Sequence, residues 1–226
     1  MLYDYQKAGD LEPFGQVQYS QFGEDVVIWQ WLQNLGKLNP DGFYVDVGAH
    51  HPRRMSNTKL LNKYMNWRGI NIEPSRELWQ EFEKERPDDI NLNIACGSEN
   101  TEMEMTIFSH QAVNSLDARM VAQHVAGETF DVVRTETVQV RILNEVLEEH
   151  VPPNREIGMI SIDAEGFDFR ILQSLDLQRW KPFLLCVEDH HFDCHEPHKS
   201  EIFTHMFNAG YRLRAVVAAS LIFTLI

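Results

Sequence analysis

The chain has 226 residues, enough for one large domain or two small ones, and its 43% hydrophobic content suffices for a sizeable core. The 20 Lys and Arg against 34 Asp and Glu leave a net charge of −14, a surface that repels a nucleic-acid backbone or an anionic membrane. The expected partner is a cation, a neutral small molecule or glycan, or another protein.

Residues 1–19 are irregular and rich in Gly, Pro and Tyr. "SQFGEDVVIWQWLQNLG" then predicts a helix, with Ile28, Trp31, Leu32 and Leu35 at helical spacing, acids in the first turn and Gly36 at the stop. "GFYVDVG" predicts a buried strand, "NTKLLNKYMNW" a helix and "RGINIEP" a second strand. "SRELWQEFEKERP" predicts a helix capped by Ser75 and ended before Pro87, and "INLNIACG" one third strand. "EMEMTIFS" alternates like a strand with one wet face, residues 110–131 give no clear pattern, and "ETVQVRILNEVLEEHVPP" predicts a strand running into a helix.

The strand–helix rhythm then resumes. "IGMISIDAEG" is a strand, "FDFRILQSLDLQRW" a helix, "PFLLCVEDH" a strand and "HKSEIFTHMFNAG" a helix stopped by Gly210. "YRLRAVVAA" and "LIFTLI" follow, joined by so few residues that they must pair antiparallel. Alternating units of this kind predict a parallel sheet layered by helices, finished by an antiparallel strand. The domain expected over residues 20–226 is single, with an insert or lid around 98–135. The apolar tail "AVVAASLIFTLI" is too short to span a bilayer as a helix. Three cysteines, Cys96, Cys186 and Cys194, make no even disulfide framework, and "MLYDYQKAGDLEPFG" has no signal-peptide pattern; both favour a reducing, cytoplasmic setting.

In a doubly wound sheet the ligand lies beyond the carboxyl ends of the strands. Four of those ends carry acid here: Asp46, Glu73, Asp163 and the pair Glu188-Asp189. The turn after the first strand, "DVGAHHPRR", lacks the glycines of a dinucleotide-binding turn. His50 and Arg53 stand where the second and third glycines would be, and an imidazole at position 50 blocks the approach of a pyrophosphate. The turn suits an adenosine ligand without phosphates, with Gly48 giving backbone clearance and Glu73 accepting the ribose hydroxyls. That points to S-adenosylmethionine rather than a nicotinamide dinucleotide.

"SQFGEDVVI", "FYVDVGAHHPRRMSNTKLL", "WRGINIEPSRELWQEF", "LNIACGS", "ISIDAEGFDFRILQSLD" and "CVED" together resemble the FkbM-type S-adenosylmethionine-dependent methyltransferases, over roughly residues 18–226. The resemblance implies a class I methyltransferase (Rossmann-like) α/β three-layer sandwich, with a seven-stranded, mostly parallel sheet and an antiparallel last strand. It implies O-methylation of sugar or other small-molecule hydroxyls. By the same likeness Asp46, Gly48 and Ala49 line the cofactor's methionine and ribose, with His50 in the same turn. Glu73 binds the ribose diol, Ala95 and Cys96 lie beside the adenine, and Gln21, Ser56, Asn57 and Thr58 are further contacts. Where the family's turn often carries another glycine, this chain has "HHPRR".

Methyl transfer to a hydroxyl needs alignment and removal of a proton, by a base or through a divalent metal. Asp163, Glu165 and His190 (or its neighbour His191) are the catalytic candidates, although Glu165 can equally cap the next helix. Asp163, Glu188 and Asp189 offer hard oxygens to Mg²⁺ or Mn²⁺. "CVEDHHFDCHEPH" does not have the paired spacing of a zinc site. His110 and Asn114-Ser115 are candidates for a lid, and Tyr19, Phe22 and Trp67 could stack on a sugar, though each is more often core. Two other readings stay open: an NAD-dependent oxidoreductase, and a catalytically silent binding protein on the same fold.

Overall fold

The computed structural model describes residues 17–128 and 130–225; most of the expected irregular N-terminal segment, residues 1–16, lies outside them. In chain order the elements are α1 (Glu24–Asn34), β1 (Phe43–Val47), α2 (Lys59–Met65), β2 (Arg68–Ile72), α3 (Arg76–Glu85), β3 (Ile90–Leu92), β4 (Ala95–Gly97) and β5 (Thr101–Phe108). After them come α4 (Ala118–Ala126), β6 (Val132–Ile142), α5 (Leu143–His150), β7 (Met159–Ile162), α6 (Asp168–Gln173) and α7 (Leu177–Trp180). β8 (Leu184–Glu188), α8 (Glu201–Asn208), β9 (Tyr211–Val217) and β10 (Ser220–Leu225) complete the chain.

Seven strands form one sheet in the order β3-β2-β1-β7-β8-β10-β9. β1, β2, β3, β7 and β8 pair in parallel, and β10 inserts antiparallel between β8 and β9. This is the Rossmann-like methyltransferase topology that the sequence predicts. The order reverses between β1 and β7, so the two loops that leave those strands diverge and open a crevice there.

β1 is buried along its whole length, as expected of a strand covered on both faces. Its side chains alternate. Phe43, Val45 and Val47 join the larger core with Leu143, Val146, Ile171, Leu172, Ile202 and Met206, from α5, α6 and α8. Tyr44 points the other way, into a second core with Ile28, Leu32, Leu60 and Leu61 from α1 and α2. Trp67 belongs to that core at 1% exposure, so it offers no face to a sugar. No helix among the described residues is long and apolar enough to cross a membrane.

Three local expectations are corrected. "INLNIACG" is two strands in two sheets: β3 closes the large sheet, whereas β4 pairs in parallel with β6 in a three-stranded sheet of order β4-β6-β5. The chain bends between them because Asn93 donates its side-chain amide to the carbonyls of Glu73 (3.0 Å) and Pro74 (2.9 Å). "FDFRILQSLDLQRW" is likewise two helices, since Asp176 caps the second by accepting from Gln178 N and Arg179 N. Ser75 sits at the N-cap of α3 but makes no side-chain cap bond, and its own N–H is held by Glu73.

Residues 110–131, which gave no pattern, contain a 3-10 turn at Gln111–Val113 and then α4, capped by Asp117 accepting from Arg119 N (2.7 Å) and Met120 N (3.3 Å). No residue of α4 is buried, so it carries little of the apolar periodicity that announces a core helix.

Candidate active site

The floor of the crevice is the turn after β1. Gly48 N and Ala49 N both donate to Ile72 O at 3.0 Å, which ties the turn to the end of β2. Gly48 has φ +72, and a Cβ built on it would lie 1.7 Å from the carbonyl oxygen of Asp163. Only glycine meets both demands, the left-handed backbone and the close approach to the end of β7. His50 follows in the left-handed region at φ 53. Burial chiefly, then the neighbouring His51, His110 and Arg54, pushes its imidazole down to about 4, so it lines the crevice uncharged.

Glu73 ends β2 and is 6% exposed. One carboxylate oxygen accepts from His50 N and the other from Ser75 N, each at 2.8 Å. A carboxylate oxygen can accept more than one hydrogen bond, so each keeps capacity for a ligand hydroxyl. Burial raises the carboxyl to about 8, against the opposing effect of those two N–H donors.

Four carboxylates gather on the opposite side, Asp163, Glu165 and Glu188 in the cavity wall and Asp168 buried beside them. Ligand oxygens of Asp163, Asp168 and Glu188 lie within 4.8 Å of one another, as do the ligand atoms of Glu165, Glu188 and His190. Glu188 is common to both groups, and its Oε2 lies 3.1 Å from His190 Nε2. Depth in the cleft, and then the like charges of Glu188, Asp168 and Glu165, hold the Asp163 carboxyl well above its usual range. Burial and Glu188 push Glu165 up to about 8 and Asp168 up to about 7. The hydrogen bond to Glu188 raises His190 to about 9, so at neutral pH it is an imidazolium and carries the proton that a base must lack.

Glu165 does not cap α6. The N-cap of α6, Phe167, has no side-chain cap bond, and Asp168, the first residue of the helix, instead reaches back to accept from Ala164 N (2.8 Å) and Gly166 N (3.1 Å) in the preceding loop. Those bonds fold the 163–168 loop so that Glu165, at φ 47, faces the cleft with Asp163.

Both walls line one cavity of about 790 Å³. Gln21 and Phe22 before α1, Glu24 in its first turn, Ala218 and Ala219 between β9 and β10, and Ser220 at the start of β10 line it as well. Tyr19 O accepts from Ser56 N (3.0 Å) and Asp25 holds Tyr19 N (2.7 Å) and Ser20 Oγ (2.6 Å), which fixes this segment over the turn. Phe22 is 59% exposed at the rim, the one stacking candidate that faces the opening. The roof is the arm of residues 109–128 with Phe130, attached where Ser115 Oγ donates to Glu165 O (2.9 Å) and where Gln111 Nε2 donates to Glu77 Oε2 (2.9 Å). Among the described lining residues there is no Lys or Arg, whereas Glu24, Glu73, Asp163, Glu165 and Glu188 all contribute.

Of the residues expected from the sequence, Gln21, Gly48, His50, Asn57, Glu73, Ala95, Cys96, Asp163, Glu165, Glu188 and His190 line this cavity, as do His110, Asn114 and His191. Asp46, Ala49, Ser56 and Thr58 do not. Ala49 is buried at 3% exposure beneath the turn. Asp46 points to the Tyr44 side of β1 and accepts from Thr58 Oγ1 at 2.7 Å. Thr58 and Ser56 in turn accept from Arg86, at 2.9 Å each.

Arg86 is 2% exposed and also donates to Pro52 O (3.1 and 2.5 Å) and to Tyr44 OH (3.0 Å). These groups are the underside of the turn, holding its shape without touching the cavity. Asp189 stands apart from the other acids, accepting from Ser200 Oγ (2.6 Å) and His191 N (3.0 Å), which removes it from the expected metal set. Cys96 and Cys186 are buried free thiols, Cys96 raised to about 12 by burial, so neither is a nucleophile at neutral pH. Glu24, Asp168, Arg86 and His124 were not singled out from the sequence. Only Asp168 left a trace there, as an acid two residues beyond the "DAEG" loop.

With this geometry in place, comparison with family models matches residues 46–213 to the methyltransferase FkbM domain. Comparison with curated proteins and with solved structures finds no significant match.

Proposed function

Since the chain belongs to the FkbM methyltransferase domain family, we propose that it moves a methyl group from S-adenosylmethionine to a hydroxyl of a small-molecule or sugar acceptor. The observation that carries this reading is one cavity in which Glu73, with acceptor capacity left on both oxygens, and the Asp163–Glu188 pair stand on either side of the Gly48 turn. Glu73 receives the ribose hydroxyls, Ala95 and Cys96 border the base, and Gln21 and Asn57 reach the amino-acid end. When bound, the cofactor supplies a methyl on a sulfonium, a good leaving group that needs no acid.

The chain's own residues align the acceptor and take its proton. Asp163 is the base of this reading: its carboxylate form, beside Glu188 in the cleft, takes the acceptor's proton, whereas His190, bonded to Glu188, already carries one at neutral pH. Imidazolium and Glu188 then position the acceptor. A lining rich in acids and, among the described residues, without Lys or Arg supports a positively charged cofactor and a neutral or cationic acceptor. It argues against the oxidoreductase reading as well, since a dinucleotide diphosphate would find no Lys or Arg among the described lining residues, and His190 is already paired with Glu188. The reading includes a reducing, cytoplasmic setting in which Cys96, Cys186 and Cys194 stay unpaired.

A second reading of the same chemistry adds Mg²⁺ or Mn²⁺, favoured by the convergence of Asp163, Asp168 and Glu188 oxygens. There the ion would lower the pKa of a coordinated hydroxyl, and a carboxylate would still accept the proton released. Dialysis against a chelator separates the two: turnover that survives removes the ion.

Calorimetry with S-adenosylmethionine and its demethylated product, followed by transfer of labelled methyl to a panel of hydroxylated acceptors, tests the whole proposal. Absence of binding at millimolar cofactor would sink it. Binding without transfer to any acceptor would favour a silent protein on the same fold.

A further inference from the structure

The roof of the cavity carries two buried polar atoms that the reaction scheme above leaves unused: Nδ2 of Asn114 and Nε2 of His124 have no hydrogen-bond partner among the described residues. Both side chains line the cavity. Buried groups of this kind are ordinarily satisfied, and two of them on one short arm, facing one cavity, are a reason to look for a ligand.

Neither group is free to turn away. Asn114 Oδ1 accepts from Phe108 N at 2.9 Å, which settles the amide orientation and leaves the NH₂ as the open end. The His124 ring stands edge-on to Phe108 (centroids 5.5 Å, 73°) and to Phe130 (5.7 Å, 68°), which fixes its plane. His110 and Phe130 form a tilted pair at 5.4 Å, and Met105, Leu116 and Met120 complete an apolar surround. The result is an aromatic and thioether surround that holds two unpartnered nitrogens, the amide donor of Asn114 and Nε2 of His124. A flat nitrogen heterocycle with one acceptor beside one donor fits that description.

We propose that Asn114 and His124 read the edge of a purine, and that the purine is the adenine of the cofactor; this rests on the cofactor reading given above. Asn114 Nδ2 donates to the ring nitrogen N1, and His124 Nε2 accepts from the adjacent 6-amino group. The placement agrees with Glu73 as the ribose partner. Gln111, three residues before Asn114, bonds to Glu77 in the first turn of α3, only four residues past Glu73, and Ser115, just after Asn114, bonds to Glu165 O, so the arm spans the cavity from the ribose side to the acidic wall. Ala95 and Cys96 then border the same base from below. The two residues are specificity determinants rather than catalytic residues.

The test compares two ligands on the full chain by calorimetry: S-adenosylhomocysteine and S-inosylhomocysteine, whose 6-oxo group and N1–H reverse the donor and acceptor. Wild type should prefer the adenosyl ligand by at least about tenfold, since the inosyl edge sets its N1–H against the Asn114 donor and leaves that amide unpaired. Asn114→Asp, which replaces the donor with an acceptor, should narrow that ratio by about tenfold or invert it. His124→Phe, which keeps the packing on Phe108 and Phe130, should weaken the adenosyl ligand alone. Equal affinities in wild type, a measurement that needs no variant, would overturn the proposal, as would an unchanged ratio in Asn114→Asp. Failure of both ligands to bind wild type would remove the cofactor reading and this proposal with it, whereas binding without discrimination removes only the proposal.

Discussion

Gly48 lies so close to Asp163 that a Cβ on the first would reach 1.7 Å from the carbonyl oxygen of the second. The contact spans the point where the strand order reverses, and it sets how far apart the two walls of the cavity stand. The turn that underlies the Glu73 site and the loop that carries the acidic cluster are therefore one mechanical unit.

Gly48→Ala is expected to damage both walls together. The added carbon meets backbone, which cannot rotate away, and it forces a left-handed residue, so the loss of stability should be at least about 1–3 kcal/mol. Urea unfolding gives the loss, and calorimetry should show cofactor affinity falling at the same time. A variant as stable as wild type would mean that the loops can separate freely.

Stability of the ligand-free protein should fall as pH rises from about 5 to 8. Glu73 and Glu165 lie near 8 and Asp168 near 7, all above the ordinary carboxylate range. The folded state therefore binds more protons than the unfolded one across that interval, and the slope of stability with pH is negative. His190, raised to about 9, adds in the same direction, since its contribution is complete below about 6.5 and lost as pH passes 9. Melting temperatures at a series of pH values check the sign. Glu73→Gln should flatten the curve, and a melting temperature that climbs from pH 5 to 8 in wild type would contradict the assigned burial.

Asp163→Asn should lower turnover by about 10²–10⁴ while leaving cofactor affinity largely intact. His190→Gln should cost less, because it removes a cation that positions rather than a base. Wild-type turnover should rise between pH 6 and about 8 as the carboxyl cluster ionises, a limb whose midpoint belongs to the cluster as a whole. Steady-state rates on a proven acceptor decide this. If His190→Gln proves the more damaging of the two and abolishes that limb, the base has been misassigned.

Arg86→Met should destabilise by about 3–5 kcal/mol although the residue touches no ligand, because it strands Asp46 and Asp89 beside a network that Arg86 neutralises. Arg86→Lys should not restore it, since one ammonium cannot serve Pro52 O, Ser56 Oγ, Thr58 Oγ1 and Tyr44 OH at once. Denaturant midpoints for the two variants provide the check, and near-equal stability of Arg86→Lys and wild type would count against the fork geometry.

Local chemistry settled more of this molecule than its middle suggests. The apolar run of β1, the glycine after it, the acid at the end of β2 and the short link between β9 and β10 were each decided within a few residues. A buried strand, a left-handed turn and an antiparallel hairpin are short-range necessities, and from them the sheet and the position of Glu73 could be read. What folding alone decided is which side chains meet. Asp46 looked like a cavity acid because it lies one residue from the end of β1, but strand alternation turns it to the opposite face from Val47, towards Thr58 and Arg86. Asp168 follows Asp163 within one loop, but Glu188 lies 20 residues beyond Asp168 in the sequence and joins the two only because β7 and β8 pair in parallel. The arm over the cavity was invisible for a related reason: α4 buries no residue, so its place is fixed by Ser115 on Glu165 and Gln111 on Glu77, contacts across distances that no periodicity in the sequence records.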